Sequence, residues 1–280
     1  MTVVIAGCGD LGTEVGLRLV ARGERVIGLR RSAGLLPEAI EGQPVDLALE
    51  VPVLPRDTRF LVVAIAASAR TPDVYRGAYV DGLRNVLDAL ESAGSVPERI
   101  VLVSSTAVYD VSDGSWVDEG TPAEPATATA RILLEAEELL RSRHPHAVVL
   151  RLAGIYGPGR ERLIAQVRGG TARLSRQPQH TNRIHRDDAA AAIIHLLHAD
   201  APAPVYIGVD DDPAEQSDVV TFIAGELGLP VPPRADADVA RAADKRCRNT
   251  LLRATGFEFQ YPDFRSGYRA LLAGRGVRHP

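Results

Sequence analysis

The segment Gly7-Cys8-Gly9-Asp10-Leu11-Gly12 most constrains what this 280-residue chain can fold into. It follows the apolar stretch Val3 to Ala6 and opens a helical pattern, and G-x-G-x-x-G in that context is the turn of a dinucleotide-holding βαβ unit. Gly7 makes the tight turn, Gly9 lets the backbone approach a pyrophosphate, and Gly12 allows close packing of helix on strand. Asp10 and Leu11 belong to the same cofactor-binding turn, whose helix N-terminus faces the phosphates.

Downstream, short β-branched runs alternate with longer helical patterns, which predicts parallel βαβ units and an α/β fold. Strands are expected near Thr2 to Gly7, Arg25 to Arg30, Pro44 to Asp46, Arg59 to Ala66, Arg99 to Ser104 and Ala147 to Leu152. Pro72 to Ala93 reads as a long helix with Val74, Tyr79, Leu83, Val86, Leu87 and Leu90 roughly on one face, and Ile132 to Leu140 carries a similar stripe. After Arg151 the chain turns to glycine- and proline-rich loops, with a helix from Asp188 to His198, a strand near Val205 to Gly208 and a helix near Gln216 to Leu227. The expected architecture is a Rossmann-type doubly wound parallel sheet over 1–155, joined by residues 180–203. A smaller C-terminal substrate-binding subdomain takes 156–280.

The end of the second strand selects the cofactor. An Asp or Glu there would accept from a ribose 2′-hydroxyl, whereas arginine accommodates a 2′-phosphate. The sequence has Arg30-Arg31-Ser32, whose guanidinium groups suit a phosphate, so NADP is expected over NAD. Asp46 is placed either at the adenine amine or in a turn. Ala66, Ala67 and Ser104, near the ends of later strands, complete the expected cofactor-binding set.

A net charge of −4 speaks against nucleic acid as a partner, and no apolar run is long enough to span a bilayer. The expected location is the cytoplasm, with Cys8 and Cys247 as free thiols. No metal site is read: His195 and His198, at i and i+3, lack further ligands and read as a surface pair.

Several segments together resemble the extended short-chain dehydrogenase/reductases, also called the NAD-dependent epimerase/dehydratase family. They are the glycine turn, Val101 to Tyr109, Arg151-Leu152-Ala153-Gly154-Ile155-Tyr156-Gly157-Pro158-Gly159-Arg160, and Asn182-Arg183-Ile184-His185-Arg186-Asp187-Asp188. The resemblance covers nearly the whole chain. It implies that Ser105, with Ser104 and Thr106 as neighbouring alternatives, holds the reacting substrate oxygen, that the loop to Tyr156 passes the nicotinamide, and that Arg160 faces the substrate. It also implies a homodimer through the helices at Pro72 to Ala93 and Glu124 to Arg143.

The family's Tyr-x-x-x-Lys pair, in which the lysine lowers the pKa of an acid/base tyrosine, is where the sequence departs. The tyrosine position falls on Thr129 and the lysine position on Leu133, and no tyrosine lies between Tyr109 and Tyr156. Tyr109 and Tyr156 are the candidate replacement acids, although Tyr156 reads more readily as packing. Arg160, Arg183, Lys245 and Arg246 converge on the expected subdomain and suggest an anionic, sugar-like or carbonyl substrate. His185 reads as structural, with Asp187 and Asp188 suiting the first turn of the next helix. Two functions fit: an NADP-dependent enzyme with an atypical active site, or a non-catalytic NADP-binding sensor or regulatory module.

Overall fold

The computed structural model describes residues 1–235 and 244–280. β1 (Thr2–Ala6) is buried along its whole length, and the glycine turn leads from it into α1 (Asp10–Val20). β2 (Arg25–Arg30), β3 (Glu41–Pro44) and β4 (Thr58–Val63) follow. A composite helix then runs as α2 (Pro72–Tyr75), a π-helical turn (Arg76–Asp81) and α3 (Gly82–Ser92). β5 (Arg99–Ser105), the short β6 (Trp116–Val117), α4 (Ala128–Arg143), β7 (Val148–Leu152) and β8 (Gly154–Tyr156) come next. The remainder comprises α5 (Arg162–Arg168), β9 (His180–Thr181), β10 (Arg183–His185), α6 (Arg186–Leu197) and β11 (Val205–Gly208). It ends with β12 (Ala214–Glu215), α7 (Gln216–Glu226), β13 (Arg246–Cys247), α8 (Thr250–Ala254) and α9 (Phe264–Leu272).

Seven strands form one parallel sheet in the order β11-β7-β5-β4-β1-β2-β3. The order in which strands are added reverses between β1 and β4, and in open α/β sheets the crevice beyond the carboxyl ends of strands at such a point receives the ligand. One apolar cluster joins one sheet face, through Val3, Ile5 and Val101, to Val15 and Leu19 of α1 and Ile193 and Leu197 of α6. A second joins the opposite face, through Val4, Leu61 and Leu102, to Leu83, Leu87 and Leu90 of α3 and Leu140 of α4. A third gathers α5, α7 and α9 around Tyr156, Ile223, Phe264 and Tyr268. No described helix is long and apolar enough to cross a membrane.

Two expected strands lie elsewhere. The third strand is Glu41–Pro44, paired with β2, and Asp46 lies in the turn after it. Val205–Gly208, expected in the smaller unit, instead extends the main sheet beside β7. There Tyr206 and Ile207 are buried and strand-to-strand hydrogen bonding completes β7.

Candidate cofactor-binding and active site

The carboxyl ends of β1, β2, β4, β5 and β7 open into a cleft of about 990 Å³. Gly7 has a φ of +83°, and a Cβ there would lie 2.5 Å from the Ile65 backbone, so only glycine lets the β1 turn pass the β4 turn. At Gly12 a Cβ would come within 3.0 Å of the Gly7 carbonyl oxygen, which fixes how closely α1 approaches the turn. Nothing lies within 4 Å of a Cβ at Gly9, whose open side faces the cleft. This backbone fits a dinucleotide pyrophosphate: two glycines fold the turn tightly and the third leaves room for phosphate at a helix N-terminus.

All twelve residues read from the sequence as cofactor-binding line this cleft: Gly7, Gly9, Asp10, Leu11, Gly12, Arg30, Arg31, Ser32, Asp46, Ala66, Ala67 and Ser104. Their side chains differ in how they are held. Arg30 donates through Nη1 to the carbonyl oxygens of Cys8 and Pro280, whereas Arg31 and Ser32 are exposed. Asp46 accepts from the Ala48 amide and so closes a local turn. Asp10 accepts from Arg160 Nε at 2.8 Å and from Arg186 Nη1 at 2.9 Å.

The candidate catalytic residues are dispersed. Ser105 lines the cleft, and its hydroxyl accepts from the Ala107 amide. Thr106 is buried in the following turn, outside the cleft lining. Thr129 sits on the first turn of α4, also outside it, while Leu133 one turn on presents a side chain to the cleft. Tyr109 is buried and its hydroxyl accepts from Arg151 Nη1 at 2.6 Å. Arg151 also pairs with Glu137, which accepts from Ser104 Oγ at 2.6 Å, so Ser104 and Tyr109 complete the hydrogen bonding of a buried ion pair. Such a pair holds only when every partner is satisfied, which accounts for a phenol at that position. Tyr156 packs against Tyr268 and His185 away from the cleft, its ionisation pushed far above the ordinary phenol range by burial.

Of the residues expected to bind substrate, only Arg160 reaches the cleft. Arg183 is buried over Phe264 and donates to Thr181 Oγ1. Arg246 donates to the Gly114 carbonyl oxygen and lies over Trp116. Lys245, the single lysine of the sequence, is buried and donates to the Tyr109 carbonyl oxygen at 2.5 Å. Burial holds its pKa below the usual ammonium value. His195, expected at the surface, is half-buried and shares a hydrogen bond with Thr255. No described group of three metal-ligating side chains could hold an ion.

One cleft residue was legible only as packing. Tyr79 falls in the apolar stripe of its helix, yet the π-helical turn shifts the helix phase, so Val74, Gly77, Ala78 and Tyr79 face the cleft while Leu83, Val86 and Leu87 face the core.

Residues 3–208 match the family model described as NAD dependent epimerase/dehydratase family. The chain belongs to that family. Protein YeeZ of Escherichia coli (strain K12) is 31% identical, over 93% of this chain and 96% of YeeZ. A 3-diazoavenalumate denitrifying reductase of Streptomyces sp is 27% identical, over 95% and 99% of the two chains. Among solved structures, one from Methylobacillus flagellatus assigned to NAD-dependent epimerase/dehydratases superposes with a TM-score of 0.78 at 36% identity, covering 98% of each chain. As a member of this epimerase/dehydratase family, the chain is an NAD(P)-binding, extended short-chain dehydrogenase/reductase-type oxidoreductase.

Proposed function

We propose that the protein is an NADP-dependent oxidoreductase or epimerase-like enzyme acting on a small, anionic sugar-like or carbonyl substrate without the family's Tyr-x-x-x-Lys pair. The observation that carries the reading is the wall of the cleft at β2. Arg30, Arg31 and Ser32 face it, and no carboxylate stands at that strand end to accept from a ribose 2′-hydroxyl. When bound, the nicotinamide would give or take a hydride. The glycine turn holds the pyrophosphate, Arg31 and Arg30 meet the 2′-phosphate, and Ser105 orients the substrate oxygen. Arg160 at the cleft mouth meets the substrate's negative charge, exchanging Asp10 for it. The unit built on α5, α7 and α9 supplies the substrate side. The relative named as a reductase agrees with a reductive role.

The test is NADPH absorbance across a panel of aldehydes, ketones and nucleotide sugars, with product analysis, since an epimerase returns its cofactor unchanged. Turnover or epimerised product supports the reading, and neither, with the cofactor bound, removes it. The second reading, a non-catalytic NADP sensor, draws on Thr129 and on Lys245, which is buried against Tyr109 away from the cleft. It requires a partner protein whose binding distinguishes NADP from NADPH.

A further inference from the structure

We propose that Tyr79 is the proton donor of this active site. The inference rests on the cofactor assignment above and adds a residue to it.

Tyr79 is the one tyrosine among the described residues lining the cleft. It stands on the π-helical turn at Arg76–Asp81, and single π turns inside helices recur at functional sites because the extra residue re-aims side chains. Its ring packs on Tyr75 at 5.1 Å between centroids and against the apolar group that includes Leu133, Val108 and Ala153. Tyr79 therefore belongs to the β5, β7 and α4 end of the cleft, opposite the Arg30 and Arg31 end. Its hydroxyl lies beside the Ala67 backbone in the loop after β4.

Four other polar groups of the cleft already have partners. Asp10 is paired with Arg160 and Arg186, Asp46 closes its turn, Ser104 donates to Glu137 and Ser105 accepts from Ala107. Arg160 bears a permanent charge and Ser105 has no accessible pKa, so neither releases a proton at neutral pH. The Tyr79 phenol stays protonated at rest and can pass its proton to a developing alkoxide.

Burial first, then the neighbouring Tyr75, hold Tyr79 above the ordinary phenol range, so it is protonated at neutral pH. It therefore acts as an acid and not as a base. As a carbonyl carbon is reduced, the Tyr79 O–H bond breaks and the proton forms a new O–H bond on the substrate oxygen. An alkoxide is more basic than a phenolate, so the transfer runs downhill. The phenolate then takes a proton from water at the half-exposed side of the ring. No ammonium is needed, because the phenol is never required to be ionised at rest.

The test uses the full chain labelled with 3-fluorotyrosine, followed by fluorine NMR with NADP or NADPH; Tyr79→Phe, or Tyr79→Leu if the first is unstable, assigns the signal. With NADP, whose nicotinamide is cationic, the Tyr79 titration midpoint is expected to fall by about one pH unit or more relative to the NADPH complex. For any aldehyde or ketone that the wild type reduces, Y79F is expected to lower kcat about 100-fold while NADPH affinity stays within twofold. The wild-type kcat is expected to be flat from about pH 6 to 9, since the donor stays protonated. A Tyr79 signal insensitive to bound NADP, or full turnover by Y79F, overturns the inference and leaves the cofactor assignment standing. Failure of either cofactor to bind overturns both.

Discussion

Arg160 donates from Nε to Asp10 Oδ2 at 2.8 Å, tying the loop after β8 to the first turn of the glycine-turn helix. Arg186 reaches the other oxygen of the same carboxylate. The two arginines differ in setting: the Arg160 side chain is 41% exposed and that of Arg186 is 1% exposed. Arg160 is thus held by a screened surface contact that a ligand can replace, and Arg186 by a dry one that builds the site.

That contrast predicts the cost of removing each. Arg160→Ala is expected to change unfolding free energy by less than about 1 kcal/mol, the ceiling for an exposed ion pair. Arg186→Met leaves Asp10, Asp187 and Glu14 without their shared cation and is expected to cost about 3 to 5 kcal/mol. Urea denaturation of the two variants measures both, and equal losses would contradict the assignment.

Gly7→Ala is expected to abolish cofactor binding. A Cβ 2.5 Å from the Ile65 backbone, at a φ of +83°, forces the β1 and β4 turns apart, and the strained backbone alone costs about 1 to 3 kcal/mol. Gly9→Ala places its methyl in open space facing the ligand, so it should spare folding and weaken NADPH. Thermal melting with and without NADPH separates the two effects.

His185 titrates with a predictable sign. Burial, with Arg186 nearby, pushes its pKa down from 6.5 to about 4, so the folded protein keeps the imidazole neutral while the unfolded chain protonates it near 6.5. A depressed folded pKa contributes stability that is present above pH 6.5 and lost as pH falls toward 4. Each unit of depression is worth about 1.4 kcal/mol, so the stability advantage of wild type over His185→Asn should shrink by at least that amount between pH 7 and pH 4. An advantage that is constant with pH would refute it.

Sequence showed most of the sheet and the phosphate end of the site, because those signals are local. β2 matches its expected bounds, since Val26, Ile27 and Leu29 read directly as a buried run. β3 was misplaced because Glu41-Gly42-Gln43-Pro44 carries no apolar pattern: it is an edge strand defined by backbone pairing with β2. β11 could not be assigned to the main sheet from its residues, because its neighbour β7 is some fifty positions away.

The catalytic end was less legible for the same reason. Lys245 and Arg183 read as substrate-binding cations, yet their partners are the Tyr109 carbonyl oxygen and the Phe264 ring, and neither contact leaves a mark in local sequence. Tyr79 was hidden in a helical stripe because a regular 3.6-residue period cannot anticipate a π turn. Thr129 and Leu133 were read at the positions where the resemblance implies the tyrosine and lysine, and the structure adds only that Leu133 lines the cleft and Thr129 does not.

The most direct test of the account is the pair of dissociation constants for NADPH and NADH, measured by nicotinamide fluorescence on wild type and on Arg31→Ala and Arg30→Ala. A charge-assisted contact to the 2′-phosphate is worth about 1.5 to 3 kcal/mol, so wild type should bind NADPH at least about tenfold more tightly than NADH. Loss of the arginines should bring NADPH down to the NADH value and leave NADH unchanged. Equal affinities in wild type, or tighter NADH, would contradict the assignment of Arg30 and Arg31 as the 2′-phosphate site.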